Sequence, residues 1–382
     1  MNIAFVTTFD ARDPRRGSGT FYYMSQELAR QGHTLHYVGP LPYRYPAGSK
    51  LIRRLHKIIP GRYVAFLDPY VGRLTGQTVA QQLAGVAYDL LLTNDVAVAG
   101  YTPTAKPVVL YTDVMITHDY SERNVPNARL AGLSPLALRL ARQTLRAGLR
   151  RADLCVFPAQ WVADEAAHYG VDPARVRLIP FGANIDDPGR DPAEQRRLNP
   201  GRQQFDLLFV GKDWARKGGD VAVAVAQALQ QRGINATLHV VGVQHPRLAA
   251  LPFVRSYGLL DKRVPAERDQ LYRLYRECDT FILPSQSEGF VIAVLEAAAF
   301  GQPALAYAAH GVGVVDGVTG VLLPLGAPAG AFADVIATWL AQPESYQQLA
   351  RQARDHYETS VNWATTIAAL TAAMAPLLKT AR

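Results

Sequence analysis

Along the chain, short β-branched and apolar runs alternate with longer stretches whose apolar residues recur at helical spacing. NIAFVTTF, TLHYVG, FDLLFVGKD and TLHVVG read as strands; FYYMSQELARQG and GGDVAVAVAQALQQRG read as helices. This alternation predicts parallel sheets covered by helices. The pattern occurs twice with matching words. NIAFVTTF corresponds to FDLLFVGKD from Phe205, TLHYVG at Thr34 corresponds to TLHVVG at Thr237, and DLCVFP from Asp153 echoes DTFILP from Asp279. Each half is therefore expected to form its own doubly wound α/β domain.

The polar, Gly- and Pro-containing stretch 184–204 separates the halves, because a fresh first strand starts directly after it. The predicted organisation is an N-terminal domain over 1–183, a linker over 184–204, a second domain over 205–355 and a C-terminal helical part over 356–382. Ligands of such sheets bind where the strands end, so residues following strands, and a cleft between two such domains, are where chemistry is expected.

Composition narrows the class. With 382 residues, 49% of them hydrophobic and 19% charged, the chain is expected to fold as two globular domains. The opening MNIAFVTTFD has no basic region ahead of its apolar run, and no apolar stretch approaches the ~18 residues that span a bilayer. Two cysteines, Cys155 and Cys278, fall in strand-like segments, which fits a reduced, cytoplasmic protein. The net charge of +8 is unevenly placed: residues 1–180 hold 21 Lys and Arg against 13 Asp and Glu, and the remainder holds 19 of each. Part of that excess lies in Ser49 to Arg62, SKLIRRLHKIIPGR, a basic amphipathic helix suited either to an anionic membrane or to packing on the sheet. Nucleic acid is not an expected partner, since interleaved aromatics and binding motifs are missing.

Four segments carry candidate chemistry. In DARDPRRGSGTFYYM, Gly17 and Gly19 precede a helix; Tyr22 replaces the third glycine of a dinucleotide fingerprint. What is left is a turn, either a plain one or one that lets the backbone approach a phosphate or sugar through Gly19. In GKDWARKGGD, Lys212, Arg216 and Lys217 gather around glycines at the head of a helix. Cations oppose the helix dipole there unless an anion binds, so phosphate is the natural ligand, the alternative being a solvated basic turn. The apolar segment SEGFVIAVLEAAAFG contains Glu288 and Glu296. Eight helical residues span ~12 Å, whereas paired glycosidase carboxylates stand ~5–9.5 Å apart, so the two suit opposite ends of one elongated ligand better than an acid/base pair. Alternatively, Arg or backbone donors satisfy each Glu structurally. Finally, VVLYTDVMITHDY reads as a strand followed by Thr112, Asp113 and His118, groups able to orient an acceptor hydroxyl, with an ordinary loop histidine the alternative for His118. No Asp-x-Asp triplet and no Gly-x-Ser-x-Gly elbow is present, so neither metal ligation nor serine hydrolysis is expected.

Taken together, GSGTFYYMSQELARQGH, RADLCVFPAQWVADEAAHYGVDPARVRLIPFGANID, LLFVGKDWARKGG and EGFVIAVLE resemble the retaining glycosyltransferases of family 4 over nearly the whole chain. The resemblance implies the GT-B fold: two facing Rossmann-like domains with parallel sheets, and a C-terminal helix crossing back to the first. It implies transfer of a hexose-type sugar from a nucleotide diphosphate sugar, UDP-linked before GDP-linked, with anomeric retention and without cofactor or metal. By the same resemblance Arg216 and Lys217, with Lys212, hold the diphosphate, Glu296 binds the ribose, and Glu288 lies beside the donor sugar together with the backbone of Gly289, Phe290 and Val291. The stretch Tyr257 to Leu260 matches the loop whose backbone contacts the base. Two departures stand out. Thr112 occupies a position where many relatives carry His, and Ala308 to Gly317 is shorter than their corresponding loop and lacks its glutamate.

Overall fold

The computed structural model describes residues 1–41, 63–113, 133–191, 193, 198, 204–244 and 246–379. His118, the Ser49 to Arg62 helix and much of the 184–204 stretch lie outside them. Twelve strands are described, forming two six-stranded, wholly parallel sheets. Strands β1 (Asn2–Val6), β2 (Thr34–Val38), β3 (Leu90–Thr93), β4 (Val108–Tyr111), β5 (Leu154–Phe157) and β6 (Val176–Leu178) form the first, in the order β2-β1-β3-β4-β5-β6. Strands β7 (Gln204–Val210), β8 (Asn235–Val241), β9 (Val254–Gly258), β10 (Thr280–Leu283), β11 (Ala304–Tyr307) and β12 (Gly320–Leu323) form the second, in the order β12-β11-β10-β7-β8-β9.

The middle strands are short, unbroken apolar runs, and every residue of LLLT, VVLY, LCVF, TFIL and ALAY is buried. Helices on both faces of a parallel sheet leave no wet side, so period-two alternation disappears. Local signals set where several helices begin. Asp95 accepts from the backbone N–H groups of Ala97 and Val98, and Ser134 accepts from that of Ala137 ahead of Pro135.

The matching words mark equivalent strands in two cases and not in the third. β1 pairs with β2 as β7 pairs with β8, whereas β10 lies beside β7 while β5 stands two strands away from β3, the neighbour of β1. The echo between DLCVFP and DTFILP is instead shared local chemistry. Asp153 accepts the backbone N–H of Val108 at 2.8 Å, and Asp279 accepts that of Asp206 at 2.7 Å, each tying the start of its strand to a neighbour.

The chain divides into two compact units, residues 1–180 with 366–382, and residues 181–365. These ends differ from the expected 183 and 355 for physical reasons. Phe181 stacks obliquely near Trp363, Ala183 N–H donates to Val361 O at 2.9 Å, and Trp363 Nε1 donates to Asn184 Oδ1 at 2.9 Å, so both crossing segments belong to the second unit. Past residue 365 the C-terminal helix belongs to the first unit, where Thr371 Oγ1 lies 2.9 Å from His33 Nε2. Counted as one run, Pro343–Leu378 is long and apolar enough to cross a bilayer by length and composition, contrary to the sequence expectation. It is broken at Val361, whose backbone leaves the helical region, and Tyr346, Ala353, Ile367, Leu370 and Met374 are fully buried.

Within the second unit, Arg354 is buried on helix Pro343–Ser360. It donates to Ala299 O at 2.7 Å and pairs with Asp187 and Glu358. Arg354→Met should lower unfolding free energy by about 1–3 kcal/mol, since it strands a buried carbonyl; urea titration followed by tryptophan fluorescence measures this.

Candidate functional site

The second unit brings together most of the candidates at the carboxyl ends of β7, β10 and β11. After β7 the chain turns through Gly211 to Gly218 into helix Gly219–Gln231. Two glycines set that turn. A Cβ on Gly211 would sit 2.3 Å from Lys217 Cδ, so the missing side chain is what lets the lysine stem cross back over the strand end. Gly218 has φ +74, and a Cβ there would sit 2.0 Å from Pro284 O, so the turn rests directly on the end of β10.

Four residues after Pro284 comes Glu288. The carboxylate is buried, yet both of its oxygens are engaged: Lys217 Nζ lies 2.8 Å from Oε1, Arg216 Nη1 2.8 Å from Oε2, and Ser285 Oγ donates to Oε1 at 2.7 Å. Arg216 also donates to Ser287 O at 2.8 Å and pairs with Asp213 at 3.2 Å. Lys212, by contrast, is exposed and makes no ion pair among the described residues. The turn 288–291 is further tied to the loop after β11, with Glu288 N–H donating to His310 O and Val291 N–H to Gly311 O. Gly311 has φ +70, and a Cβ there would fall 2.2 Å from Gly289 O. The short loop lacking the relatives' glutamate is thus clasped to the Glu288 turn by backbone contacts.

Glu296 lies on helix Ile292–Ala299, whose start is two residues later than Phe290, and it too is buried. Its partners are Lys262, whose Nζ lies at 2.5 Å from Oε1, and Tyr275, whose hydroxyl donates to Oε2 at 2.8 Å. Phe290 packs edge-on against Phe181 with centroids 5.7 Å apart. Sequence reasoning missed Ser285, Lys262 and Tyr275. For Lys262 one signal existed, since a buried carboxylate demands a cation, but nothing in the spacing says which one.

The remaining candidates are placed apart from that cluster or on other groups. The Tyr257 side chain hydrogen-bonds His239 Nδ1 at 2.8 Å and stacks on its ring, so only the backbone at the end of β9 is free to face a ligand; Leu260 follows in the loop and is half-buried. In the first unit, Gly17, Ser18 and Gly19 have φ of 53, 57 and 83 in succession, an unusual left-handed run at the head of helix Thr20–Arg30. Thr112 is buried and its N–H donates to Val156 O; Asp113 follows β4, and burial first, then the nearby Asp113 charge, push the Tyr111 hydroxyl well above its ordinary range. Among the described residues no group of three or more His, Cys, Asp or Glu comes together.

Burial pushes the Glu288 carboxyl up, but the charges of Lys217 and Arg216 outweigh it and hold the group below its ordinary value of 4.5. A group depressed in the folded state stabilises above its unfolded value and loses that contribution as pH falls through the folded one. The stability difference between the wild type and Glu288→Gln should therefore be constant above about pH 4.5 and shrink below it, as read by urea denaturation between pH 3 and 7.

A model described as Glycosyltransferase Family 4 matches residues 18–187, and one described as Glycosyl transferases group 1 matches residues 191–356. The D-inositol 3-phosphate glycosyltransferase of Geodermatophilus obscurus is 35% identical over 234 residues, which cover 55% of this chain and 50% of that protein. The one from Corynebacterium glutamicum is 30% identical over 236 residues, covering 57% and 55%. The chain spans about half the length of the curated relatives it matches. Among solved structures, sucrose-phosphate synthase from Thermosynechococcus elongatus superposes with a TM-score of 0.71 at 19% identity over 100% of both chains. Anabaena HepE in complex with UDP and glucose superposes with a TM-score of 0.64 at 18% identity, over 98% of this chain and 100% of that one. With both halves matched and the two parallel sheets in place, the chain belongs to the family 4 glycosyltransferases and has the GT-B fold.

Proposed function

We propose that the protein moves a hexose-type sugar from a nucleotide diphosphate sugar, UDP-linked first and GDP-linked second, to an acceptor hydroxyl, retaining the anomeric configuration and using no metal. The single observation that carries this reading is the convergence of Lys217 and Arg216 on Glu288, at the head of helix Gly219–Gln231 and the end of β10. Breaking the bond between sugar and diphosphate leaves negative charge on the departing phosphate. Two cations already gathered at the turn and a helix N-terminus stabilise that charge without waiting for solvent to reorganise. Lys212, exposed on the same turn, adds a third positive charge. Glu288, with the backbone of Gly289 to Val291, then lies beside the sugar, Glu296 takes the ribose, and the backbone from Tyr257 to Leu260 takes the base. Gly19, Thr112, Asp113 and His118 in the first unit are proposed for the donor phosphate and the acceptor. Solved structures of HepE, of the same fold, hold UDP and UDP-glucose, which supports a nucleotide-sugar donor.

Purified protein incubated with a panel of nucleotide sugars should release nucleoside diphosphate, and release should survive EDTA. Lys217→Ala and Glu288→Gln should each slow it about tenfold or more. Tight UDP binding with no turnover on any donor or acceptor would instead indicate a non-catalytic sugar-nucleotide-binding protein, the reading favoured by Thr112 and by the short loop after β11.

Peripheral contact with an anionic membrane through Ser49 to Arg62 belongs to the same proposal, with the reaction placed in the cytoplasm. Support comes from the described part of the first unit, where helix Pro135–Arg151 carries Arg139, Arg146 and Arg150 exposed and contains no carboxylate. Flotation on vesicles containing an anionic lipid should be seen for the wild type and should weaken when Arg53 and Arg54 are both changed to Ala; no flotation of the wild type would end the membrane proposal.

A further inference from the structure

We propose that Lys262 and Tyr275 are positioning residues that aim the Glu296 carboxylate at a vicinal diol, so that the site selects ribonucleotides over 2′-deoxyribonucleotides. The inference rests on the reading of Glu296 as the ribose end of the donor.

Glu296 is flanked by fully or nearly buried neighbours on an apolar helix and is itself 4% exposed. Each of its oxygens meets one described donor: Lys262 Nζ at Oε1 and Tyr275 Oη at Oε2. An ionised carboxylate offers about four lone-pair positions. One acceptor position on each oxygen is therefore left over, and two adjacent acceptors are what a pair of neighbouring hydroxyls requires. A single hydroxyl would fill only one of them and leave the second acceptor position on the other oxygen unmet in a buried site, which is the costlier arrangement.

The two donors are themselves immobilised, which is what makes them positioning groups and not chance contacts. Tyr275 is fully buried on helix Pro265–Glu277, its ring stacked on Phe300 at 5.5 Å and near-parallel to Phe281 at 6.3 Å. Burial and the adjacent Glu296 charge push its ionisation well above the ordinary phenol range, so the hydroxyl remains a donor. Lys262 is held at a second point, donating to Asn184 O at 2.8 Å, and Asn184 is fully buried with its own side chain accepting from Trp363. The backbone before it is fixed as well, since Asp261 N–H donates to Glu267 Oε2 and Gly258 turns the chain out of β9 with φ +67.

Titration calorimetry of the full chain with UDP and 2′-deoxy-UDP, and with GDP and 2′-deoxy-GDP, tests this. The wild type should prefer the ribonucleotide by about tenfold or more, the worth of roughly one hydrogen bond to a charged group. Lys262→Met should weaken ribonucleotide binding and bring that preference to within about twofold, and Lys262→Arg should restore it. In turnover the loss should appear in KM, with kcat little changed. Tyr275→Phe, which removes only the hydroxyl, should reduce the preference on its own and serves if Lys262→Met does not fold. A Lys262→Met protein of wild-type melting temperature that keeps the full preference overturns the inference while leaving the donor reading intact. A wild type that binds both sugars of a pair equally overturns it too, and one that binds neither UDP nor GDP brings down the donor reading with it.

Discussion

Two carboxylates are buried in an otherwise apolar segment, and the need to compensate them organises the second unit. An isolated buried charge costs far more than any single contact returns. Glu288 and Glu296 must therefore be met by donors whose positions the rest of the fold guarantees. Parallel sheet topology provides this: strands running the same way deliver their carboxyl ends to one edge, so the turn after β7 and the turn after β10, some seventy positions apart in sequence, meet there. Gly211 and Gly218 then decide whether they meet closely enough, because a side chain at either would occupy the space of Lys217 or of Pro284.

Much of this arrangement is legible in the sequence. The apolar runs, the helix starts and the duplicated opening of each half follow from periodicity and composition, and the basic turn and the two glutamates stand out because they break those patterns. What the pattern misses has a physical origin in each case. DLCVFP and DTFILP share an aspartate that caps a neighbouring strand, and a local device of that kind recurs wherever the local problem does, so it does not report strand order. Tyr257 stands two residues from Arg255, on the same face of β9, and its side chain goes to His239 on the neighbouring β8; the residue stands at the end of a strand, but its side chain belongs to the sheet. Lys262 and Tyr275 reach Glu296 across 34 and 21 positions, and no periodicity links residues brought together by packing.

The two cations on Glu288 are held differently, and that difference shapes what the site can do. Arg216 is spread over three acceptors, Asp213, the Ser287 carbonyl and Glu288, a fixed fork that would lose three contacts by moving. Lys217 has Glu288 as its one described ionic partner, on a flexible stem that passes over Gly211. A guanidinium suits the fixed role, being planar and pre-organised, while an ammonium is a point charge that can turn between acceptors with little geometric loss. An arriving anion therefore need not pull apart the whole clamp. On the proposed function, Lys217 can be shared with that anion while Arg216 keeps its three contacts, Glu288 among them. Lys217→Arg would retain the charge and an unbranched stem over Gly211, yet put a longer, planar head where Glu288 Oε1 now meets a compact ammonium, so the substitution costs more than its charge suggests.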